Sequence, residues 1–143
     1  MDLTMLTRAL RSLLLPAAIT TFSSLSLASS YGFNCITSGA AGDCAIGEAN
    51  LHVDVSAGPQ ANQVTFTFTN SDPNGSSLAD VYFDDGSLLG IHDISGSSGV
   101  SFSQSAAPGS LPGGNNIDWN SSRDFSADSD APVYHNGVNS PTE

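Results

Sequence analysis

The sequence predicts an all-β protein, a single antiparallel β-sandwich of jelly-roll or immunoglobulin-like type, and three observations carry that expectation. Short segments alternate apolar and polar residues, clusters of turn-forming residues separate them, and no helical period is evident beyond residue 28. A closed barrel is the alternative closure of the same strands. The abundance of Ser, Asn, Gly and Thr agrees, because these residues are poor in helix interiors and good in turns. No internal repeat points to a propeller or solenoid.

The first segment in chain order is a leader. Arg8 and Arg11 stand just ahead of the apolar run at residues 13–19, and Ser26, Leu27 and Ala28 supply a small-x-small cut site. A signal peptide over residues 1–28 follows, cleaved after Ala28, with Ser30 as the second choice. A membrane-spanning helix needs about 20 mostly apolar residues, and Thr20, Thr21, Ser23 and Ser24 interrupt this run too early. The remaining residues, 29–143, suit one domain.

Cys35 and Cys44 are the only cysteines, and an even count in an exported chain favours a disulfide. The intervening residues are small and include Gly39 and Gly42, which suits a sharp turn. Closing so short a loop contributes roughly 2 to 3 kcal/mol on the chain-entropy account. No third cysteine or nearby histidine completes a zinc set, and there is no Cys-x-x-Cys redox motif.

The strands follow. Leu51, Val53 and Val55 alternate with His52 and Asp54, and Val64, Phe66 and Phe68 alternate with threonines, so each segment reads as a half-buried strand. The turn-rich residues 56–62 between them predict an antiparallel pair. Residues 70–77 form a loop around Asn74 and Gly75. Residues 79–83 alternate again, with Val81 and Phe83 inward and Tyr82 outward, and a hairpin about Asp85 and Gly86 leads into residues 88–94. Gly96 to Gly99 supply another turn before a short strand in which Val100 and Phe102 share a face. From Pro108 to Asp130 the pattern fades into Gly, Pro, Asn, Asp and Ser, which predicts a long polar loop near 105–131, and residues 133–138 return as a last strand.

Charge narrows the partners. The chain has three basic residues against fourteen acidic ones, no lysine, and a net charge of −11. Beyond residue 28 only Arg123 is basic, so nucleic acid and anionic membrane surfaces are poor partners, and stable membrane insertion of the body is not expected. Solubility, divalent cations and neutral glycans fit the acidity better.

Taken in order, residues 43–49 around Cys44, the strand at 64–68, the string at 79–86, the Leu111-Pro112-Gly113-Gly114-Asn115 turn and the segment at 125–130 resemble exported bacterial proteins of the PEP-CTERM group, which an exosortase sorts. The resemblance spans roughly residues 31–143. It implies a signal peptide, a β-rich body without assigned activity, and association with exopolysaccharide and surface matrix, at the bacterial outer surface or in the periplasm. The sequence lacks the Pro-Glu-Pro, apolar helix and basic cluster that end such proteins. Its abrupt end, residues 139–143, predicts a truncated product in which closing strands are missing.

Candidate sites are few. Asp80, Asp84 and Asp85 form one acidic cluster, and Asp124, Asp128 and Asp130 another. On an extended strand Asp80 and Asp84 lie about 13 Å apart, too far for one ion whose oxygens sit at about 2.4 Å. A turn could still gather Asp84 and Asp85. Asp128 and Asp130 open like a calcium loop, but Ala131 and Pro132 follow where an EF-hand needs Asp or Asn and Gly. These clusters read as solvated turn aspartates, with calcium as the alternative. Trp119, Tyr82 and Tyr134 are the aromatics on which an extracellular polysaccharide could stack, while a Trp119 plugged into the core is the competing reading. His52, His92 and His135 accompany many serines, yet no Gly-x-Ser-x-Gly elbow exists and no Asp-Thr-Gly or Asp-Ser-Gly appears, so catalysis is not expected. The sequence-level reading is a structural or adhesive surface protein, or alternatively a carbohydrate-binding module steadied by calcium.

Overall fold

The computed structural model describes residues 28–37, 40–73, 75–84, 86–108, 111–117 and 125–139. Within these residues the fold is mostly strand, in three small antiparallel sheets with two short helices. The expected leader lies outside the described residues, apart from Ala28.

The first sheet has the order β1 (Ser29–Gly32), β2 (Leu51–Ala57), β3 (Val64–Asn70). The expected antiparallel pair is its main part, with Val53 opposite Phe68 and Val55 opposite Phe66. Matching registers put the apolar residues of both strands on one face and Thr65, Thr67 and Thr69 on the other, where all three are exposed. Val64, expected inward, sits at the hairpin end and is 49% exposed. The turn closes with the Gly58 N–H donating to the Gln63 carbonyl at 2.9 Å, and Asn62 adopts a φ of 66°. A side chain at Gly58 would meet the Gln63 Cβ at 2.5 Å, so the turn requires glycine there. β1 was not expected. Its alternation is too short to read, and pairing to β2 defines it, from Ser29 opposite Val55 to Gly32 opposite His52.

Helix α1 (Ala41–Asn50) is a short addition to the β body, and it begins where a simple turn between the cysteines was expected. Ala41, Ala45 and Ala49 supply the best helix propensity available, while Gly42 and Gly47 hide it in the sequence. No side chain caps its start. The helix is instead tethered: Cys44 forms the disulfide to Cys35, and the Cys35 N–H donates to Glu48 Oε1 at 2.7 Å. At its far end the Asn50 amide donates to the Ile46 carbonyl at 2.8 Å, and the Ser71 N–H donates to the Asn50 carbonyl, joining the helix exit to the end of β3.

The second half departs further. β5 (Asp80–Tyr82) does not form a hairpin with residues 88–94, which adopt no regular structure and leave Leu89 fully exposed. Its partner is β7 (Ser126–Ser129), which falls in the segment expected to be loop and is the central strand of the order β5, β7, β6 (Phe102–Gln104). β7 is polar in sequence, but its residues are small. Ser126, Ala127 and Ser129 are buried, so both faces of the strand are covered although it carries little apolar side chain. Tertiary pairing overrides the weak local preference. The backbone extends the ladder on both sides, from Phe83 N–H to the Phe125 carbonyl and from Ser105 N–H to the Ser126 carbonyl, each at 2.8 Å. Residues 133–138, expected as one strand, split into a helical turn α2 (Val133–Asn136) and β8 (Val138–Asn139), which pairs with β4 (Ser77–Leu78). A 3₁₀ turn occupies Gly114–Asn116.

Among the contacts that join the sheets are two that involve large side chains. Phe83, just beyond β5, packs its ring 4.9 Å from Phe66 and 6.3 Å from Phe68, with Phe33 a further 6.5 Å from Phe68. The second is Asn70, 1% exposed at the end of β3. Its amide donates to the carbonyls of Ser76 and Val138 at 3.1 Å each, and its Oδ1 accepts from the Asp72 N–H at 3.1 Å. One side chain thereby fixes the end of β3, the approach to β4 and the start of β8. Asn70→Leu keeps the bulk but orphans these buried groups, each at a cost of about 1 to 3 kcal/mol. Urea unfolding should show a lower midpoint for Asn70→Leu, by more than for the exposed Thr67→Leu on the same strand; equal midpoints would rule out this role.

Candidate functional site

The polar face of the β5–β7–β6 sheet holds the densest set of chemically active side chains among the described residues. Register places Asp80, Asp128 and Ser103 directly across from one another, with Tyr82 opposite Ser126. Alternation puts them all on one face. Asp130 follows β7 and reaches the same face, where it accepts hydrogen bonds from the hydroxyls of Ser101 and Ser103, the latter at 2.8 Å.

The three carboxyl groups are handled differently. Asp80 is held above the usual carboxylate range, first by burial and then by its hydrogen bond to Asp128 and the repulsion of that second carboxyl. The register sets the two carboxyl groups side by side across the ladder, so each feels the other's charge. One Asp80 oxygen, Oδ1, is buried without a partner. Asp130 is held below its ordinary value by its serine donors, Ser101 before Ser103. The Tyr82 phenol is pushed up by burial and by the neighbouring Asp80 and Asp128. No lysine or arginine lies among the described residues, so no cation there offsets this face.

The sequence-predicted candidates separate. Asp128 pairs with Asp80 across the ladder, and Asp130 is committed to serine hydroxyls. Asp84 is exposed, and Asp85 lies outside the described residues. No group of three or more His, Cys, Asp or Glu side chains among the described residues is arranged to hold a metal ion. Among the aromatics, Tyr82 does not project freely. It is half-buried, and its hydroxyl donates to the Pro108 carbonyl at 2.8 Å, because the segment after β6 folds back over β5. Tyr134 on α2 is 71% exposed, with its ring 4.1 Å from that of His135. Trp119 lies outside the described residues.

The Asp80–Asp128 pair was not visible in the sequence. In sequence Asp80 falls with its neighbours Asp84 and Asp85, and no local signal joins β5 to a strand so far along the chain. Tyr31 and Phe33, which are 56% and 38% exposed, were also missed as surface aromatics because β1 had no recognisable pattern. No helix among the described residues is long and apolar enough to cross a membrane. Compared with known proteins, the chain matches no family model, and no curated protein or solved structure matches it.

The two perturbed aspartates predict opposite pH dependence. Asp80 is raised, so its contribution is fully present below the unfolded value near 3.9 and is lost as pH climbs through its folded value. Asp130 is lowered, so its contribution is present above about 3.9 and is lost as pH falls through its folded value. In urea unfolding across a pH series, Asp80→Asn should remove the loss of stability on the alkaline side of that range, and Asp130→Asn the loss on the acid side. Parallel pH curves for wild type and both variants would contradict the assignment.

Proposed function

We propose that the chain is an exported, single-domain β-sandwich protein of the cell surface or extracellular matrix, with a structural or adhesive role and no catalytic step. The Cys35–Cys44 disulfide carries this reading, because such bonds persist in oxidising compartments and are rare in reducing ones. The leader-like residues 1–28 and the likeness to PEP-CTERM-type proteins agree with it. Packing of Phe83 against Phe66 and Phe68 supports the two-layer part of the proposal, since it lays the end of one sheet's strand over the apolar face of another. Expression of the whole chain in a diderm bacterium, followed by fractionation and mass spectrometry, tests export. The expected product is outside the cytoplasm, cut within residues 26–31, with both cysteines unreactive to alkylation before reduction. A full-length cytoplasmic product with reactive thiols would overturn the reading.

A carbohydrate-binding role is the second reading, favoured by the exposed Tyr134 ring beside His135. Retention on extracellular polysaccharide should then fall in Tyr134→Ala while the urea midpoint stays unchanged. Undiminished retention would remove Tyr134 from that role.

A further inference from the structure

An open cleft of about 290 Å³ lies between the segment leaving β1 and helix α1. One wall is the Phe33 ring, and the disulfide between Cys35 and Cys44 crosses from that segment to the helix. The other wall is a single helical stripe, since Ala40, Cys44, Gly47 and Leu51 recur at the spacing that places residues on one helix face. The lining is chiefly apolar and includes two acidic residues, Asp43 and Glu48, with no basic residue among the described lining positions. Gly47 keeps the space open: a Cβ there would meet only the Leu51 Cδ1, at 3.8 Å.

We infer that this cleft binds an alkylammonium group, a primary ammonium carried on a short apolar stem. Two features select that chemistry together. The apolar walls, Phe33 among them, accept the stem, and the two acidic side chains offer charge-assisted acceptors for the ammonium. A hydroxyl-rich sugar fits poorly, because among the described residues Asn34 and Thr37 are the only uncharged polar side chains lining the cleft and most hydroxyls would go unpaired. An inorganic cation leaves the apolar walls unused. The net charge of −11 concentrates cations near the surface, and the absence of lysine means that no side-chain ammonium of the chain itself competes. The ligand is thus a free amine or the lysine side chain of another molecule. This inference does not depend on where the protein resides.

The test is titration of the oxidised, ¹⁵N-labelled protein with n-pentylammonium, with n-pentanol as the neutral analogue, and with Nα-acetyl-lysine methylamide as the tethered source. Saturable shifts are expected around Phe33, Glu48 and Leu51 with pentylammonium and not with pentanol. Glu48→Gln keeps an acceptor for the Cys35 N–H, and combined with Asp43→Asn it should weaken binding by about tenfold or more. Gly47→Leu fills the cleft while improving helix propensity, so it should abolish binding without lowering the urea midpoint. Binding of the lysine derivative as tight as that of pentylammonium assigns the site to exposed lysine side chains, and binding of pentylammonium alone assigns it to free amines. Absence of saturable binding by either amine, equal binding of pentanol, or undiminished binding in a folded Gly47→Leu protein overturns the inference.

Discussion

The fold depends on a buried carboxamide more than on a hydrophobic centre. Apolar residues that are well buried are few among the described positions, namely Ala106, Phe125, Ala127 and Val138, and the larger aromatics of β3 are only half-covered. Asn70 sits at the end of β3 and satisfies backbone groups just beyond that strand, just ahead of β4 and in β8. Dispersion and area burial are non-directional and would tolerate several arrangements of so thin a core, whereas an amide with fixed donors and acceptors tolerates one. Placing a polar group there carries a desolvation cost, and its bonds offset that cost only in this arrangement.

The same logic recurs along β7. Buried Ser126 accepts the Ala106 N–H through its hydroxyl at 2.9 Å, while its carbonyl accepts from Ser105. Asp130 binds the serines of the neighbouring strand through its side chain and the Ser101 carbonyl through its N–H. Small polar residues take the place that Val and Ile occupy in most sheet interiors. Specific hydrogen bonds then set register where side-chain volume cannot. It also bears on a face that holds three carboxyl groups: Asp80 is held above the usual carboxylate range beside Asp128, and Asp130 is bound by serine hydroxyls, without any Lys or Arg among the described residues.

What the sequence made legible follows from these preferences. Strands β2 and β3 were readable because Leu51, Val53, Val55, Phe66 and Phe68 repeat with period two beside polar partners, and their turn is encoded locally by Gly58 and Asn62. The cysteine pairing was readable from count and spacing. β7 was not, because Ser126, Ala127 and Ser129 are strand-forming only in the company of β5 and β6. Helix α1 was hidden by its glycines, and Gly47 in turn opens the cleft beside the disulfide. The acidic pair escaped notice for the same reason as β7, since register between distant strands has no local signature.

A central strand that arrives late also sets an order of assembly. The first three strands and their helix can settle as soon as residue 70 is available, because every partner is close in sequence. β5 and β6 have no such option. Each has its ladder partner only in residues 126–129, so the second sheet cannot close from a local hairpin and depends on pairing across a long separation in sequence. Until that pairing forms, two short edges are open to other chains, and how long a nascent molecule stays sticky is set by the polar stretch that looked least like structure.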